Sequence, residues 1–146
     1  MTTTPWTITF DCADPARMAE FWKLALGYED APPPAGYASW HEWLVECQVP
    51  EDEWDDGATI CDPSGVAPRI SFLKVPEGKT AKNRLHLDVQ VGGGRRAPAE
   101  EREARIRART DLLVAAGATL IGRHDQDGRL DHFVLADPEG NELCVV

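Results

Sequence analysis

An α+β fold of two βαβββ modules is predicted by three features of this 146-residue sequence. The order strand, helix and about three strands runs through the chain twice. A turn of the form Asp-Pro-x-Gly stands before the last strand of each half, as Asp62-Pro63-Ser64-Gly65 and Asp137-Pro138-Glu139-Gly140. A glycine closes the helix of each half in related surroundings, "ALGYE" after the first and "AAGAT" after the second. Each half then makes a curved sheet with a helix on one face, and neither half covers its other face alone. Side by side, the halves are expected to form a cup of mixed sheet with the helices outside. Module 1 spans about 1–78 and module 2 about 82–146, within a single domain.

The elements follow in order. "WTITFDC" alternates and is rich in β-branched and aromatic residues, so it reads as a strand. "ADPARMAEFWKLALG" reads as a helix with Asp14 as N-cap, Pro15 at the first helical position and Gly27 at the stop. Met18, Phe21, Trp22, Ala25 and Leu26 give it one apolar face for the core. "DAPPPAG" is a loop, and "YASWHEWLVECQV" reads as one or two strands. Five of the six residues 51–56 are acids, which reads as a solvated loop, with a cation site as the lesser alternative. "ATIC" and "PRISFLKV" are strands, and "PEGKTAKN" is a connector.

In the second half "RLHLDVQV" is a strongly alternating strand. Residues 98–116 form a helix with Pro98 early, Glu100 and Glu101 at its positive end and Gly117 at its stop. Arg102, Arg105, Arg107 and Arg109 are expected on its solvent side. "ATLIGRH", "DHFVLAD" and "NELCVV" are strands, the first two joined by a hairpin turn in "DQDGRL".

The chain carries 25 acidic and 15 basic residues, a formal charge of -10. Phosphate backbones need clustered Lys and Arg, so nucleic acid is excluded as a partner, and an anionic membrane surface with it. No stretch approaches the roughly 18 apolar residues of a membrane span. "MTTTPWTITF" lacks the basic and apolar regions of a signal peptide, so a cytoplasmic location is expected. Cys12, Cys47, Cys61 and Cys144 are scattered without a C-x-x-C pair and read as free, mostly buried thiols.

The repeat, together with "DCADPARMAEFWKLALGYE", "KNRLHLDV" and "LADPEGNELCVV", resembles the vicinal oxygen chelate superfamily. That superfamily holds glyoxalase I, the fosfomycin and bleomycin resistance proteins and the extradiol dioxygenases. The likeness is greatest to its glyoxalase-like domain proteins and covers nearly the whole chain. It implies a homodimer, for which exposed sheet edges supply a physical motive. It also implies a divalent metal held in the cup by His and Glu, on which a bidentate oxygen ligand binds and developing negative charge is stabilised.

Carried over residue by residue, the ligand positions of that pattern fall on Thr7, His86 and Cys144, with none in the strand around Arg69 to Phe72. The ligand set is therefore degenerate: His86 and Cys144 are the metal candidates, and the cofactor is either none or a divalent ion (Zn, Mn, Fe or Ni). Asp11, Asp88 and Glu142 share strand faces with these positions and could complete a rearranged set.

His86 is read either as a functional base oriented by Asp88 or as a structural histidine. Thr7, Thr9 and Asp11 form the matching face of the first strand and line the pocket, although Asp11 is better placed to hydrogen-bond loop backbone. Trp40 and Trp43 either wall an aromatic pocket or pack at strand edges. Arg84 either anchors a ligand anion or pairs with a surface acid. His124 and His132 are expected to be exposed. Glu142 is a further substrate contact, and Cys144 has no basic neighbour in sequence to activate its thiol.

The expected function is binding of a small metabolite in the cup. If catalytic, His86 and Asp88 would be the base pair. The alternatives are a metal-dependent lyase, isomerase or dioxygenase-like enzyme, and a non-catalytic protein that sequesters a drug or metabolite.

Overall fold

The computed structural model describes residues 2–146. Its first half contains β1 (Ile8–Cys12), α1 (Pro15–Leu26), β2 (Glu29–Asp30), α2 (Trp40–Glu46), β3 (Gly57–Cys61) and β4 (Ile70–Lys74). Its second half contains β5 (Leu87–Val89), α3 (Ala99–Ala115), β6 (Thr119–Gln126), β7 (Arg129–Ala136) and β8 (Glu142–Val145). The α+β arrangement of two βαβββ modules is present. Each module carries an open four-stranded mixed sheet, ordered β1-β4-β3-β2 in the first and β5-β8-β7-β6 in the second. In each, the first strand runs parallel to the last and the other pairs are antiparallel. By contact density the chain divides into one unit that runs to Lys23 and resumes at Gly27–Gly78, and another of Leu24–Leu26 with Lys79–Val146.

The two Asp-Pro-x-Gly turns have one physical cause. Asp62 accepts from the backbone N–H groups of Ser64, Val66 and Ala67 and from the Ser64 hydroxyl. Asp137 accepts from the N–H groups of Glu139 and Asn141. Both carboxylates thus close the turn on their own backbone. Gly65 and Gly140 take the positive φ that the turn then needs, 72° and 90°. The Ser64 hydroxyl bond, with the backbone donors behind it, lowers the Asp62 pKa to about 2.

α1 is capped as the sequence implies. Asp14 accepts from the Arg17 N–H at 3.1 Å, Pro15 opens the helix and Gly27 ends it at φ 72°. Met18, Phe21, Trp22 and Ala25 are buried and Leu26 is half-buried. β1 turns Phe10 towards this helix, with its ring centroid 5.0 Å from that of Trp22 and 5.5 Å from that of Phe72. In the second sheet Asp127 and Gly128 take φ values of 52° and 75° between β6 and β7. Positive φ at both positions is what a two-residue hairpin turn of type I′ requires.

Three expectations are corrected. Residues 40–46 are helical, because Ser39 accepts from the Glu42 N–H at 3.1 Å and Glu42 accepts from the Ala38 N–H at 2.7 Å. Ser39 thus caps the helix while Glu42 reaches back past it to the preceding N–H, a variant of the capping box, and these bonds outweigh the β propensity of the tryptophans and valine. The missing strand of the first module is instead β2, paired to β3 through Glu29 and Asp30.

Arg102 does not cover the solvent side of α3 but is buried, at 7% exposure. Its guanidinium donates to the carbonyls of Leu130 and Asp131 at 2.8 and 2.6 Å. Gly92 makes the space, since a Cβ there would lie 2.8 Å from Arg102 Cγ. The third correction concerns β5, which is only three residues long. Beyond it the Val91 and Gly92 N–H groups both turn onto the Val146 carbonyl. Among the described residues no helix is long and apolar enough to cross a membrane.

Candidate functional site

Each unit carries one arrangement of chemical interest. In the second unit it stands on the β5/β8 pair. Their parallel register sets Leu87 beside Leu143, Asp88 beside Cys144 and Val89 beside Val145. Leu143, Val145 and Val89 are buried in the core on one face. His86, Asp88, Glu142 and Cys144 therefore fall together on the other face.

The His86 Nε2 lies 3.3 Å from an Asp88 carboxylate oxygen. One donor atom each from His86, Asp88 and Cys144 lies within 4.8 Å of the others. Burial pushes the Cys144 thiol pKa up, and the Asp88 charge beside it adds to the shift. Cys144 is thus a protonated thiol at neutral pH rather than a ready nucleophile. Glu142 is held by Lys82, whose hydrogen bond keeps the carboxyl below its usual range. Its carboxylate faces Lys82.

The superfamily's metal can be tested against this donor set. A hard cation such as Mn²⁺ prefers several oxygen or imidazole ligands. Here one of the three donors is a buried thiol, and Glu142, a further carboxylate on the same face, is committed to Lys82. The set does not fit a hard cation. It matches the donor types of zinc, which accepts thiolate, imidazole and carboxylate together.

In the first unit the arrangement is a cavity of about 730 Å³. Its floor is the outward face of the sheet. The register places Thr9 of β1 beside Ser71 of β4, and Ser71 beside Thr59 of β3, so three hydroxyls form one row. Thr59 and Ser71 are hydrogen-bonded at 3.3 Å.

The cavity wall comes from α2 and the segment after it: Trp40, Trp43, Leu44, Val49 and Trp54. Trp40, Trp43 and Leu44 stand at i, i+3 and i+4, the spacing of an apolar helix face. Yet no residue of α2 is buried, and Trp40 is 38% exposed. The stripe that would normally enter a core opens on the cavity instead.

The wall is pre-organised. The Trp40 indole N–H donates to the Ala31 carbonyl at 2.8 Å, and that of Trp54 donates to Val49 at 3.0 Å. Trp40 meets Trp43 edge to face at 5.6 Å, and His41 meets Trp54 in the same way at 4.7 Å.

The residues expected at a site separate accordingly. Thr9, Trp40 and Trp43 line the cavity. Thr7 and Asp11 are exposed and do not line it. Asp11, beside Leu73 in the sheet register, makes no hydrogen bond to loop backbone among the described residues, contrary to expectation. Arg84 is exposed and has no ion-pair partner among the described residues.

His124 is exposed, but His132 is half-buried: it stacks on His124 at 4.6 Å and contacts Asp131 at 2.8 Å. All four cysteines are free, with Cys12 and Cys144 buried, Cys61 half-buried and Cys47 exposed. Trp54, Leu44, Thr59 and Ser71 went unrecognised in the sequence. Ser39-x-x-Glu42 was the available signal, since it starts a helix whose apolar stripe then needs something to face.

Comparison with known proteins places the chain in a family. A model of the glyoxalase-like domain matches residues 7–146. No curated protein sequence matches. A glyoxalase/bleomycin resistance protein/dioxygenase family enzyme from Burkholderia phytofirmans PsJN is 16% identical. It aligns over 95% of this chain and 94% of its own, with a TM-score of 0.59. The fosfomycin resistance protein FosX from Mesorhizobium loti is 10% identical over 99% and 91%, with a TM-score of 0.61. A variant of the Listeria monocytogenes fosfomycin resistance protein, in complex with Mn(II) and 1S,2S-dihydroxypropylphosphonic acid, is 14% identical over 99% and 90%, with a TM-score of 0.59. At these identities the likeness shows the fold alone.

Proposed function

The chain belongs to the glyoxalase-like domain family of the vicinal oxygen chelate superfamily, and from that premise we propose that it binds a small organic molecule in the tryptophan-walled cavity. The observation that carries this reading is the α2 stripe of Trp40, Trp43 and Leu44, apolar at helical spacing and unburied, over a floor of three hydroxyls. A mainly apolar cavity of a few hundred Å³ with a few placed polar groups is the usual form of a small-molecule site. The tethered indoles reduce the ordering that binding would require.

Binding needs neither a metal nor His86, so sequestration of a metabolite or drug is consistent with it. A screen of small metabolites by tryptophan emission and thermal shift is the test. A ligand at 100 times its Kd should add about 2.7 kcal/mol of stability. Trp43→Ala should weaken any hit at least tenfold while its far-ultraviolet circular dichroism stays that of the parent. Hits that bind the variant unchanged would move the site elsewhere.

A second reading rests on His86, Asp88 and Cys144, whose donor atoms cluster within 4.8 Å. With zinc bound these three residues would hold the ion, and zinc there supplies a Lewis acid for a lyase or isomerase. His86 and Cys144 would be the stronger ligands, with Asp88 either a third ligand or the group that orients His86. The expected signature is about one zinc per chain after reconstitution and dialysis, lost in His86→Ala and in Cys144→Ser. Less than a tenth of an equivalent in the parent protein would remove this reading and leave the cavity reading untouched.

A further inference from the structure

The geometry points to an organic cation, carried on a flat or apolar body, as the ligand class of the tryptophan cavity. This deepens the small-molecule reading and rests on it. Four observations about the lining converge. First, no lysine, arginine or histidine contributes to it. Second, three carboxylates do: Asp30, Glu53 and Asp56. Asp30 is paired with Lys23 at 3.0 Å and Asp56 with Lys74 at 3.3 Å, but neither lysine lines the cavity. Glu53 has no ion-pair partner among the described residues. Its neighbours Glu51, Asp52, Asp55 and Asp56 add to the negative potential at that end.

Third, the walls include three indoles, the aromatic group that attracts a cation most strongly through its ring face. Fourth, several of the donors an anion could use are already committed. The indole N–H groups of Trp40 and Trp54 are already given to backbone carbonyls, and Thr59 and Ser71 bond each other. A phosphonate, such as the one bound in the Listeria neighbour, would find carboxylates and ring faces there instead of cations. A quaternary or protonated amine would find both of the groups that stabilise it. The apolar faces of Leu44, Val49 and Leu73 would take up its hydrocarbon part.

Three probes of one shape separate the possibilities: benzyltrimethylammonium, its neutral carbon isostere neopentylbenzene, and benzylphosphonate. Each is titrated into the full chain and followed by tryptophan emission. The ammonium should bind at least tenfold more tightly than the neutral isostere, and the phosphonate should not bind. Its affinity should fall as sodium chloride is raised, because the Glu53 contribution is screened. Glu53→Gln should weaken the ammonium about three- to tenfold and leave the neutral probe unchanged.

Equal or tighter binding of the neutral isostere overturns the cation inference and leaves the small-molecule reading standing. Tighter binding of the phosphonate overturns it as well. Silence from all three probes also overturns it, and the small-molecule reading falls too only if the metabolite screen is equally blank.

Discussion

Trp22→Ala is expected to destabilise the protein by about 4 kcal/mol, the usual range for emptying a large buried aromatic site. Trp22 is fully buried on α1. It packs on Phe10 at 5.0 Å and meets Phe21 edge to face at 5.7 Å, while Phe10 stacks on Phe72 at 5.5 Å. These rings join helix to sheet in the first unit, and neighbours of this size cannot collapse into the space left behind. For a chain of this length the loss corresponds to a fall in Tm of roughly 12 °C. Against a total stability of about 5–15 kcal/mol, that is a large share. Trp22→Phe, which keeps an aromatic ring, should cost clearly less. Thermal and urea unfolding of the three proteins measures the difference. A loss below about 1 kcal/mol for the alanine variant would mean that this aromatic cluster does not hold α1 to its sheet.

Asp131→Asn is expected to cost about 3 kcal/mol near neutral pH, because it leaves a buried guanidinium without its counter-charge. Asp131 is buried beside Arg102. Arg95 donates to both of its carboxylate oxygens at 3.0 and 3.3 Å, and His132 contacts one of them at 2.8 Å. The Arg95 hydrogen bond first, and His132 after it, lower the Asp131 pKa to about 2.

A folded pKa below the unfolded value of about 3.9 gives stability that is present above that value. It is lost as pH falls through the folded pKa. The gap between parent and variant should therefore persist from pH 7 to about 4 and close as pH approaches about 2. Urea midpoints taken along that range read it directly. A gap that stays constant down to pH 2 would mean that the charge on Asp131 is not what stabilises the fold there.

The architecture was legible because its signals are local. Asp14, Pro15 and Gly27 bracket α1 through bonds to residues at most four positions away. The paired turns at Asp62 and Asp137 close on their own backbone, so the repeat could be read without any knowledge of the sheets. The Asp127-Gly128 turn is another such signal. α2 departs from its strand expectation for a reason of the same kind: tryptophan and valine favour strands in general, but the Ser39 cap and the Glu42 bond to the Ala38 N–H favour a helix here. Local rules competed, and the hydrogen-bonded one prevailed.

The sites were legible only in part. Alternation in "RLHLDVQV" was enough to put His86 and Asp88 on one face. That Cys144 stands beside Asp88 depends on the parallel register of β5 and β8, between residues more than fifty positions apart. The row of Thr9, Ser71 and Thr59 likewise needs three strands in register. Glu142 resembled a ligand in the sequence, but Lys82 folds onto it.

The sequence by itself determined the two modules, their turns and their helix ends, because short-range hydrogen bonds and backbone conformations encode them. Only the tertiary structure decided that Arg102 is buried in the space left by Gly92, and that the apolar face of α2 opens on a cavity. Those outcomes depend on which distant backbones come together, and a single run of residues carries no record of that.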